Sequence, residues 1–505
     1  MAMERKKYCV NGEWRDSKTD KFMPVTDSST GEIIAEVPCC TPAEVDEAIT
    51  AAQEAFPAWS HMSISKRAQL MFNWRNILVA HLDELTVLCA KELGKNLNEA
   101  KGDILKAIEP TELACALPSI IQGDAAMQVT TNFDTATYRM PLGVCAGIVP
   151  FNFPAMIPWG WMVPLAIATG NTFVLKAASQ TPLTSMRILE LFYTEGHFPK
   201  GVVNLVTCSR HEAELFLTDH RVKAVTFVGT TGVGKHIYSI ASANGKRVQA
   251  QCEAKNHALV LEDCDLESSV NAIINSTYGC AGMRCMALPV VVVQESIADA
   301  FTALLKKKAE AMVIGCAYDP KTALGPVVSA AHKQKICDWI QKGLDEGAEM
   351  VLDGRDVKVP GYENGFFVGP TILDHVKPGM TVGDREIFGP VTIIKRVKDF
   401  DEGIAIMNAN PFANGSVIFT QSGYFARKFA FLTDGGMVGI NVGIPVPSAY
   451  FPFSGNKESF FGDLHVLGKD GVRFYTRAKT VTTHWYDDSS RHRAVDTWEG
   501  SVERV

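Results

Sequence analysis

Hydrophobic and polar positions alternate along this chain in two ways, which predict two kinds of structure. Between residues 44 and 94, apolar residues recur at the spacing of a helix face, as in "EVDEAITAAQEAFPAWS" and "SISKRAQLMFNWRNILVAHLDELTVLCAKELG". From residue 143 onwards, short apolar runs such as "VCAGIVP", "NTFVLKAA" and "KAVTFVG" alternate with helical stretches. Strands that alternate with helices are typical of a parallel sheet with crossover helices.

A second block of alternating strands and helices follows "DLESSVNAIINSTYG", with strand candidates such as "PVVVVQ", "TIIKRV" and "GSVIFT". Two further segments, "MQVTTNFDTATYRMP" and "VRFYTRAKTVTTHW", alternate at period two and predict strands that belong to neither block. We therefore expect two α/β units that share a small strand arm. Residues 487–505 are polar and predict a loose tail.

Composition is that of an ordinary globular protein. Of 505 residues, 47% are hydrophobic and 21% charged, and 49 basic against 56 acidic residues give a net charge of −7. This balance predicts no nucleic-acid surface. The most apolar run, "FPAMIPWGWMVPLAIAT", contains prolines that would interrupt a membrane-spanning helix, and no secretory signal is visible. We expect a cytoplasmic protein without a membrane partner.

The cysteines predict free thiols. The chain has thirteen, an odd number scattered without compact spacing, which favours a reducing compartment over a disulfide framework. The chain has no Cys-x-x-Cys pair, and its twelve histidines form no close ligand pair, so we expect no metal site.

The segment "TFVGTTGVGKHI" predicts a strand, a glycine-rich turn and a helix start, with Gly229, Gly232 and Gly234 in the turn. Glycines there let backbone N–H groups and the helix N-terminus approach a pyrophosphate. The spacing differs from G-x-G-x-x-G, so an ordinary strand-to-helix turn explains it equally well.

Two further segments carry candidate chemistry. In "VPFNFPAMIP", Asn152 follows an apolar strand, where an amide can donate a hydrogen bond to an oxyanion, although asparagine is also common in Pro-rich turns. In "GCAGMRCMAL", Cys285 follows Arg284, which we expect to lower the thiol pKa below its ordinary value of about 8.5. Composition alone favours an inert buried thiol at both cysteines of this segment, and we expect Cys280 to be structural.

Six segments in order carry a family resemblance: "PFNFP", "FVLKAASQTP", "FVGTTGVG", "QCEAKNH", "GMRCMAL" and "EIFGPV". Together they resemble the aldehyde dehydrogenase superfamily over residues 8–486, most closely its CoA-acylating methylmalonate-semialdehyde dehydrogenase branch. The resemblance implies an α/β fold with a Rossmann-type nucleotide-binding domain, an α/β catalytic domain and a small β oligomerisation arm. The implied nucleotide-binding domain comprises residues 1–127 and 144–253, the catalytic domain comprises residues 254–462, and the arm comprises residues 128–143 and 463–486. The implied assembly is a homodimer or homotetramer.

The resemblance also implies the roles of individual residues. Cys285 would attack an aldehyde as a thiolate, and the Asn152 side chain and a backbone N–H at Cys285 would hold the oxyanion. Hydride would pass to NAD or NADP. Lys176 would bind the adenosine ribose, while Glu386 would bind the nicotinamide ribose beside Phe388. The complete set of predicted cofactor-binding residues is Phe151, Lys176, Ser179, Gly229, Thr230, Gly234, Glu386 and Phe388.

Gln251 stands where hydrolytic relatives carry the glutamate that activates water. A glutamine amide is a poor proton acceptor, whereas a thiol such as that of coenzyme A, with a pKa near about 8.5, supplies its own thiolate. The sequence therefore predicts acyl transfer to CoA. Glu253 replaces a glycine of the family, and on a strand it would share a face with Gln251 as a displaced base; we expect a surface or ion-paired glutamate instead.

Cofactor and substrate preferences stay open. Ser179 replaces a glutamate of NAD-preferring relatives, which removes repulsion against a 2′-phosphate, so NAD and NADP are both candidates. Arg284 matches the arginine that binds the substrate carboxylate, and Lys106 stands at the position of a second arginine. These residues favour malonate or methylmalonate semialdehyde, with another short anionic or neutral aldehyde as the alternative.

The predicted function is thus oxidation of a short semialdehyde with acyl transfer to CoA. A hydrolytic, NADP-dependent semialdehyde dehydrogenase is the alternative enzyme. A catalytically inactive binding protein is the alternative from another class, and retention of Asn152, Cys285 and Glu386 argues against it.

Overall fold

The computed structural model describes residues 4–486, in which strands and helices alternate as the sequence predicts. The predicted tail, residues 487–505, lies outside the described residues. The strands, in chain order, are β1 Tyr8–Val10, β2 Glu13–Arg15, β3 Phe22–Thr26, β4 Ile33–Pro38, β5 Ala125–Thr130, β6 Phe133–Pro141, β7 Val144–Ile148, β8 Thr172–Lys176, β9 Val203–Val206, β10 Val222–Val228, β11 Arg247–Gln251, β12 His257–Val260, β13 Val290–Gln294, β14 Glu349–Leu352, β15 Thr371–Asp374, β16 Val391–Val397, β17 Phe412–Ala413, β18 Gly415–Phe419, β19 Met437–Ile440, β20 Asn456–Lys457, β21 Phe460–Gly462 and β22 Thr476–His484.

The α-helices are α1 Pro42–His61, α2 Ile64–Ala80, α3 Leu82–Leu93, α4 Leu97–Cys115, α5 Leu117–Ile120, α6 Val163–Ala168, α7 Leu183–Thr194, α8 Arg210–Thr218, α9 Thr231–Ala243, α10 Leu266–Tyr278, α11 Glu295–Glu310, α12 Ala330–Asp345, α13 Thr381–Asp384, α14 Phe400–Ala409, α15 Gly423–Leu432 and α16 Gly468–Phe474. A π-helical turn spans Ile157–Met162, and a 3₁₀ turn spans Gly279–Gly282. None of the helices within residues 4–486 has the length and apolar character needed to span a bilayer.

Two large sheets organise the molecule. The first has the order β2-β1-β9-β8-β7-β10-β11-β21 and is parallel from β9 to β11, with β1 and β21 added antiparallel. The second has the order β14-β15-β16-β13-β12-β18-β19 and is parallel from β15 to β19. Helices cover parallel strands on both faces, which explains the continuous apolar runs of "VNLV" and "VVVVQ". The predicted α/β fold is confirmed.

The third sheet is the predicted strand arm, with the order β22-β6-β5. Strand β22 pairs antiparallel with β6 along its length, from Thr476 opposite Pro141 to His484 opposite Phe133. The prediction that the last strand begins at Val472 is wrong. Residues 472–474 belong to α16, in which Gly468, Gly471 and Val472 are buried at helical spacing.

The two large sheets present opposite ends of their strands to the candidate site. In the first sheet, Lys176 ends β8, while Asn152 and Gly229 follow β7 and β10, so these residues collect at the carboxyl edge. In the second sheet, Cys285 precedes β13 and Glu386 precedes β16, at the amino edge.

Candidate active site

The backbone of Cys285 is held by two asparagines that were not predicted as site residues. Asn256 Nδ2 donates to the carbonyl oxygens of Cys285 and Ala287, each at 2.8 Å, and Asn414 Nδ2 lies 3.3 Å from the Cys285 carbonyl oxygen. The Asn256 amide is oriented in turn because its Oδ1 accepts from the Gly415 N–H at 2.8 Å. Asn256 lies in the quoted "AKNH" motif, but its long-range partners are not readable from the sequence.

The loop that carries Cys285 requires glycine at position 282. The φ of Gly282 is +74°, and a Cβ there would lie 2.0 Å from the carbonyl oxygen of Gly389. Only glycine permits this approach, which brings the Cys285 loop against the turn that carries Phe388.

Asn152 meets the cysteine loop directly. It is buried, and its Nδ2 donates to the carbonyl oxygen of Met283 at 3.0 Å. This bond uses one of the two N–H donors of the amide and fixes its orientation. The predicted oxyanion donor and the predicted nucleophile are therefore carried by segments that contact each other.

Cys285 lines two cavities. The larger has a volume of about 390 Å³ and contains Phe153, Trp161 and Phe453 among its apolar walls. The smaller has a volume of about 10 Å³ and is shared with Glu386 and Phe388. Cys285 thus lies between a largely apolar cavity and the residues predicted to bind a nicotinamide ribose.

The ionisation of Cys285 differs from the prediction. Burial and then the charge of Glu386 raise the pKa of the thiol to about 12, although the positive charges of Lys95 and Arg284 oppose this shift. The expectation that Arg284 lowers the pKa below its ordinary value is wrong because desolvation of the thiolate outweighs the attraction of the guanidinium.

Both predicted substrate-binding cations line the larger cavity, and each already has an anionic partner. Arg284 Nη2 lies 3.2 Å from Glu99 Oε1, and its Nε lies 3.1 Å from the sulfur of Cys280. Lys106 Nζ lies 2.5 Å from Glu109 Oε2, and its side chain is 47% exposed. Lys106 is therefore the more adaptable of the two cations.

A third cavity, of about 690 Å³, lies at the carboxyl edge of the first sheet. Its walls include three predicted cofactor-binding residues, namely Lys176, Gly229 and Thr230. Burial lowers the pKa of the Lys176 ammonium. Two other predicted residues lie elsewhere: Ser179 is half-buried in the turn after β8, and a Cβ at Gly234 would come within 2.2 Å of the sulfur of Cys252. Gly234 thus permits close packing of α9 on the sheet.

The remaining predicted cofactor residues form one group. The rings of Phe151 and Phe388 meet edge to face with centroids 5.8 Å apart, and His332 Nε2 lies 2.7 Å from the Phe388 carbonyl oxygen. Glu386 Oε1 accepts from the Ala254 N–H at 3.2 Å. Burial raises the pKa of Glu386 to about 8, and the charge of nearby Glu253 contributes.

Gln251 and Glu253 do not share a strand face, because β11 ends at Gln251. The Gln251 amide is buried; its Nε2 lies 3.3 Å from the Phe453 carbonyl oxygen, and its Oε1 has no hydrogen-bond partner among residues 4–486. Glu253 Oε2 accepts from the Thr231 N–H at 3.0 Å, at the first turn of α9. The argument that placed Glu253 beside Gln251 is therefore wrong, and its carboxylate caps a helix.

Comparisons with known proteins show the family and the fold. A model described as the aldehyde dehydrogenase family matches residues 14–481. Malonate-semialdehyde dehydrogenase 1 of Oceanobacillus iheyensis is 45% identical over 477 residues, which cover 94% of this chain and 98% of that protein. The methylmalonate-semialdehyde dehydrogenase structure from Oceanimonas doudoroffii has a TM-score of 0.94 at 41% identity, covering 97% and 100% of the two chains. A protein of Sinorhizobium meliloti 1021, provisionally named as the same enzyme and complexed with NAD, has a TM-score of 0.94 at 37% identity, covering 96% and 99%.

Proposed function

The chain belongs to the aldehyde dehydrogenase family, and from this premise we propose that it oxidises a short, acidic semialdehyde through a thioester on Cys285, whose acyl group passes to coenzyme A. The observation that carries the proposal is that Cys285 lines two cavities, one largely apolar and one shared with Glu386 and Phe388. A sulfur in this position would meet an aldehyde bound in the larger cavity and lie beside the residues that would hold a nicotinamide, which is the arrangement that hydride transfer requires.

We assign the 690 Å³ cavity to the adenosine and pyrophosphate of NAD or NADP. The residues present fit such a group. Glu253 occupies the Thr231 N–H, and the next N–H groups of the first turn of α9, at Gly232 and Val233, would meet a phosphate. Lys176 supplies an ammonium, and a Cβ at Gly232 would meet nothing within 4 Å, so this turn is open to the cavity. When bound, the nicotinamide supplies a hydride acceptor. Phe151, Glu386 and Phe388 would surround its ribose, and the NAD complex of the Sinorhizobium meliloti protein supports the assignment.

Cys285 forms the covalent bond to the substrate, and Asn152 stabilises the oxyanion. The thiolate attacks the carbonyl carbon, and the oxyanion that forms is held by the Asn152 amide and the backbone N–H of Cys285. Loss of hydride from that carbon restores the carbonyl and leaves the acyl group on sulfur as a thioester. Because burial keeps most of the thiol protonated at neutral pH, its proton must pass to water before the attack, and positive charge and hydrogen bonds at the site must stabilise the thiolate that remains.

Gln251 favours a thiol as the acyl acceptor. Its amide cannot take a proton from water, and Glu253, the nearest alternative in sequence, is engaged at the first turn of α9. A CoA thiolate attacks the thioester carbonyl without a protein base, and the bond to Cys285 breaks to return its thiolate. The missing base therefore selects transfer over hydrolysis.

Arg284 and Lys106 suit a substrate that carries a carboxylate. Both line the cavity of Cys285, and a substrate carboxylate would share the guanidinium with Glu99 and replace Glu109 at Lys106. The malonate- and methylmalonate-semialdehyde dehydrogenases similar to this chain support malonate or methylmalonate semialdehyde as the substrate.

One observation favours an alternative, a hydrolytic NADP-dependent semialdehyde dehydrogenase. Ser179 places no carboxylate after β8, and the cavity assigned to the dinucleotide includes Arg210 and His211 in addition to Lys176. These groups are compatible with a 2′-phosphate. The choice of dinucleotide and the choice of acyl acceptor are separate questions, and each has its own test.

We further propose that the strand arm joins subunits into a homodimer or homotetramer. Met127, Val129 and Val481 on the arm are exposed apolar residues, which an interface would cover. For the domains we propose the boundaries 1–127 with 144–253 and 254–462, although β5 of the arm already begins at Ala125 and β21 of the second domain pairs with β11 of the first.

The proposed function is tested by following dinucleotide reduction with malonate semialdehyde, methylmalonate semialdehyde and propionaldehyde, with NAD or NADP, and with or without CoA. We expect turnover that needs CoA and favours the acidic aldehydes. Cys285→Ala should abolish turnover and keep dinucleotide binding, whereas the matched control Cys337→Ser, on the surface helix α12, should behave as the parent protein. Turnover retained in Cys285→Ala would overturn the assignment of the nucleophile.

A further inference from the structure

A fully buried ion pair lies behind the active-site turn. Lys95 Nζ is 3.0 Å from Asp103 Oδ2, and both side chains are 0% exposed. Lys95 follows the glycine that ends α3, and Asp103 lies in α4. Neither residue belongs to the catalytic chemistry described above, although Asp103 lines the cavity that contains Cys285.

Each member of the pair holds one end of the segment that follows Asn152. The second carboxylate oxygen of Asp103 accepts from the Met156 N–H at 2.7 Å. The Lys95 ammonium lies 3.3 Å from the ring centroid of Phe153, within the range of a cation–π contact. Residues 153–156 are therefore attached at both ends to one ion pair.

This attachment reaches the reacting groups through Asn152, which directly precedes Phe153. The Asn152 amide in turn donates to the Met283 carbonyl oxygen, two residues before Cys285. A displacement of the turn would move the amide relative to the sulfur. Misplacement by about 1 Å is enough to cost roughly 100-fold in rate when a donor must meet a developing charge.

Stability is a weak reason for such a pair. Burying two charges costs solvation that their attraction offsets only with good geometry, and apolar replacements of similar volume are often equally stable. We propose that Lys95 and Asp103 are positioning residues, which hold the Asn152 turn against the Cys285 loop and place a positive charge behind the reacting sulfur. This inference rests on the proposed function, because it requires Cys285 to be the nucleophile.

The charge gives a readout that a merely structural role would not move. Lys95 opposes the rise in the pKa of Cys285, as stated above, and it likewise opposes the rise that burial causes in the pKa of Cys280. Removing the ammonium should therefore make the Cys285 thiolate scarcer at a given pH, even where the fold is intact.

The test compares the full-length protein with the double variant Lys95→Met/Asp103→Asn and with Asp103→Leu. The double variant keeps the side-chain volumes and an amide oxygen for the Met156 N–H, but removes both charges. Asp103→Leu removes the carboxylate that accepts from the Met156 N–H. The measurements are kcat and KM for the semialdehyde, the dissociation constant of the dinucleotide, and the rate of Cys285 alkylation by iodoacetamide between about pH 7 and pH 10.

In Lys95→Gln, which removes only the ammonium, we expect Cys285 alkylation to slow at every pH in this range, whereas the double variant, which also removes the negative charge of Asp103, should show a smaller change. In Asp103→Leu we expect kcat to fall about 100-fold, with KM and dinucleotide binding changed less than about threefold. If a variant at Asp103 folds poorly, Lys95→Gln, which keeps a donor to Asp103 and the contact between Asp103 and the Met156 N–H, still gives the alkylation readout.

Alkylation and kcat equal to those of the parent protein in a folded variant would overturn the inference. Its failure is distinguishable from failure of the proposed function, because alkylation needs neither aldehyde nor dinucleotide. A parent protein that reduces no dinucleotide would overturn the proposed function. A parent protein that is active and variants that match it would overturn only the positioning role.

Discussion

The guanidinium of Arg284 is ion-paired with the carboxylate of Glu99, with 3.2 Å between Nη2 and Oε1. Both side chains are 14% exposed and line the cavity that contains Cys285. The pair holds Arg284 in place, but the negative charge of Glu99 cancels part of the field that a substrate carboxylate would meet. An acidic substrate therefore competes with Glu99 for the same guanidinium.

Glu99→Gln should tighten binding of acidic semialdehydes. The amide keeps the shape of the side chain and removes the competing charge, so the KM for malonate semialdehyde should fall about fivefold. Propionaldehyde, which has no carboxylate, is the control, and its KM should stay within about twofold. An unchanged or higher KM for malonate semialdehyde would show that Arg284 does not receive the substrate carboxylate.

The half-buried thiol of Cys285 should titrate at high pH. Its pKa is raised to about 12 by burial and then by Glu386, so the protonated form dominates below that value and the thiolate fraction grows as pH rises. In the protein without dinucleotide, iodoacetamide should alkylate Cys285 about ten times faster per pH unit between about pH 7 and pH 10. Subtraction of the rate in Cys285→Ala removes the contribution of the other cysteines. A plateau below about pH 9 would contradict the assigned burial effect.

Gln251→Glu should introduce hydrolysis. A carboxylate at the end of β11 supplies the general base that the Gln251 amide cannot provide, and we expect CoA-independent release of the free acid to rise about 100-fold. Gln251→Leu, which removes the amide without adding a base, is the matched control and should show no gain. Equal hydrolysis in the parent protein and in Gln251→Glu would mean that another group already activates water.

The identity of residue 179 should affect the choice of dinucleotide. Ser179→Glu places a carboxylate after β8, where it repels a 2′-phosphate, so kcat/KM with NADP should fall at least about tenfold while kcat/KM with NAD changes less. The measurement is the ratio of the two efficiencies in each protein. Equal changes with both dinucleotides would remove Ser179 as a determinant of preference.

The pattern of hydrophobic and polar residues was sufficient to predict the fold, but it did not predict the contacts around the candidate active site. The alternation of strands and helices predicts the two parallel sheets, and the ordered motifs predict the family. Near the end of the chain, alternation at period two wrongly predicted a strand at Val472. This residue lies in α16, where the buried positions recur at the spacing of a helix. The roles assigned to Cys285, Asn152 and Glu386 remain predictions, supported by the way their segments converge.

Long-range contacts account for what the sequence did not predict. Asn256 donates a hydrogen bond to the backbone of Cys285, and Arg284 forms an ion pair with Glu99. Both interactions join residues that are distant in the sequence. A lysine that is 0% exposed, such as Lys95, runs against the expectation that lysines lie in solvent. The raised pKa of Cys285 likewise follows from burial, which the neighbouring arginine in the sequence does not reveal.

The most direct test of the central claim is the intact mass of the protein after a single turnover with semialdehyde and dinucleotide but without CoA. We predict an acyl adduct on Cys285 that persists, is absent from Cys285→Ala, and is discharged as acyl-CoA when CoA is added. Release of the free acid at the same rate with and without CoA, with no adduct on Cys285, would contradict the account.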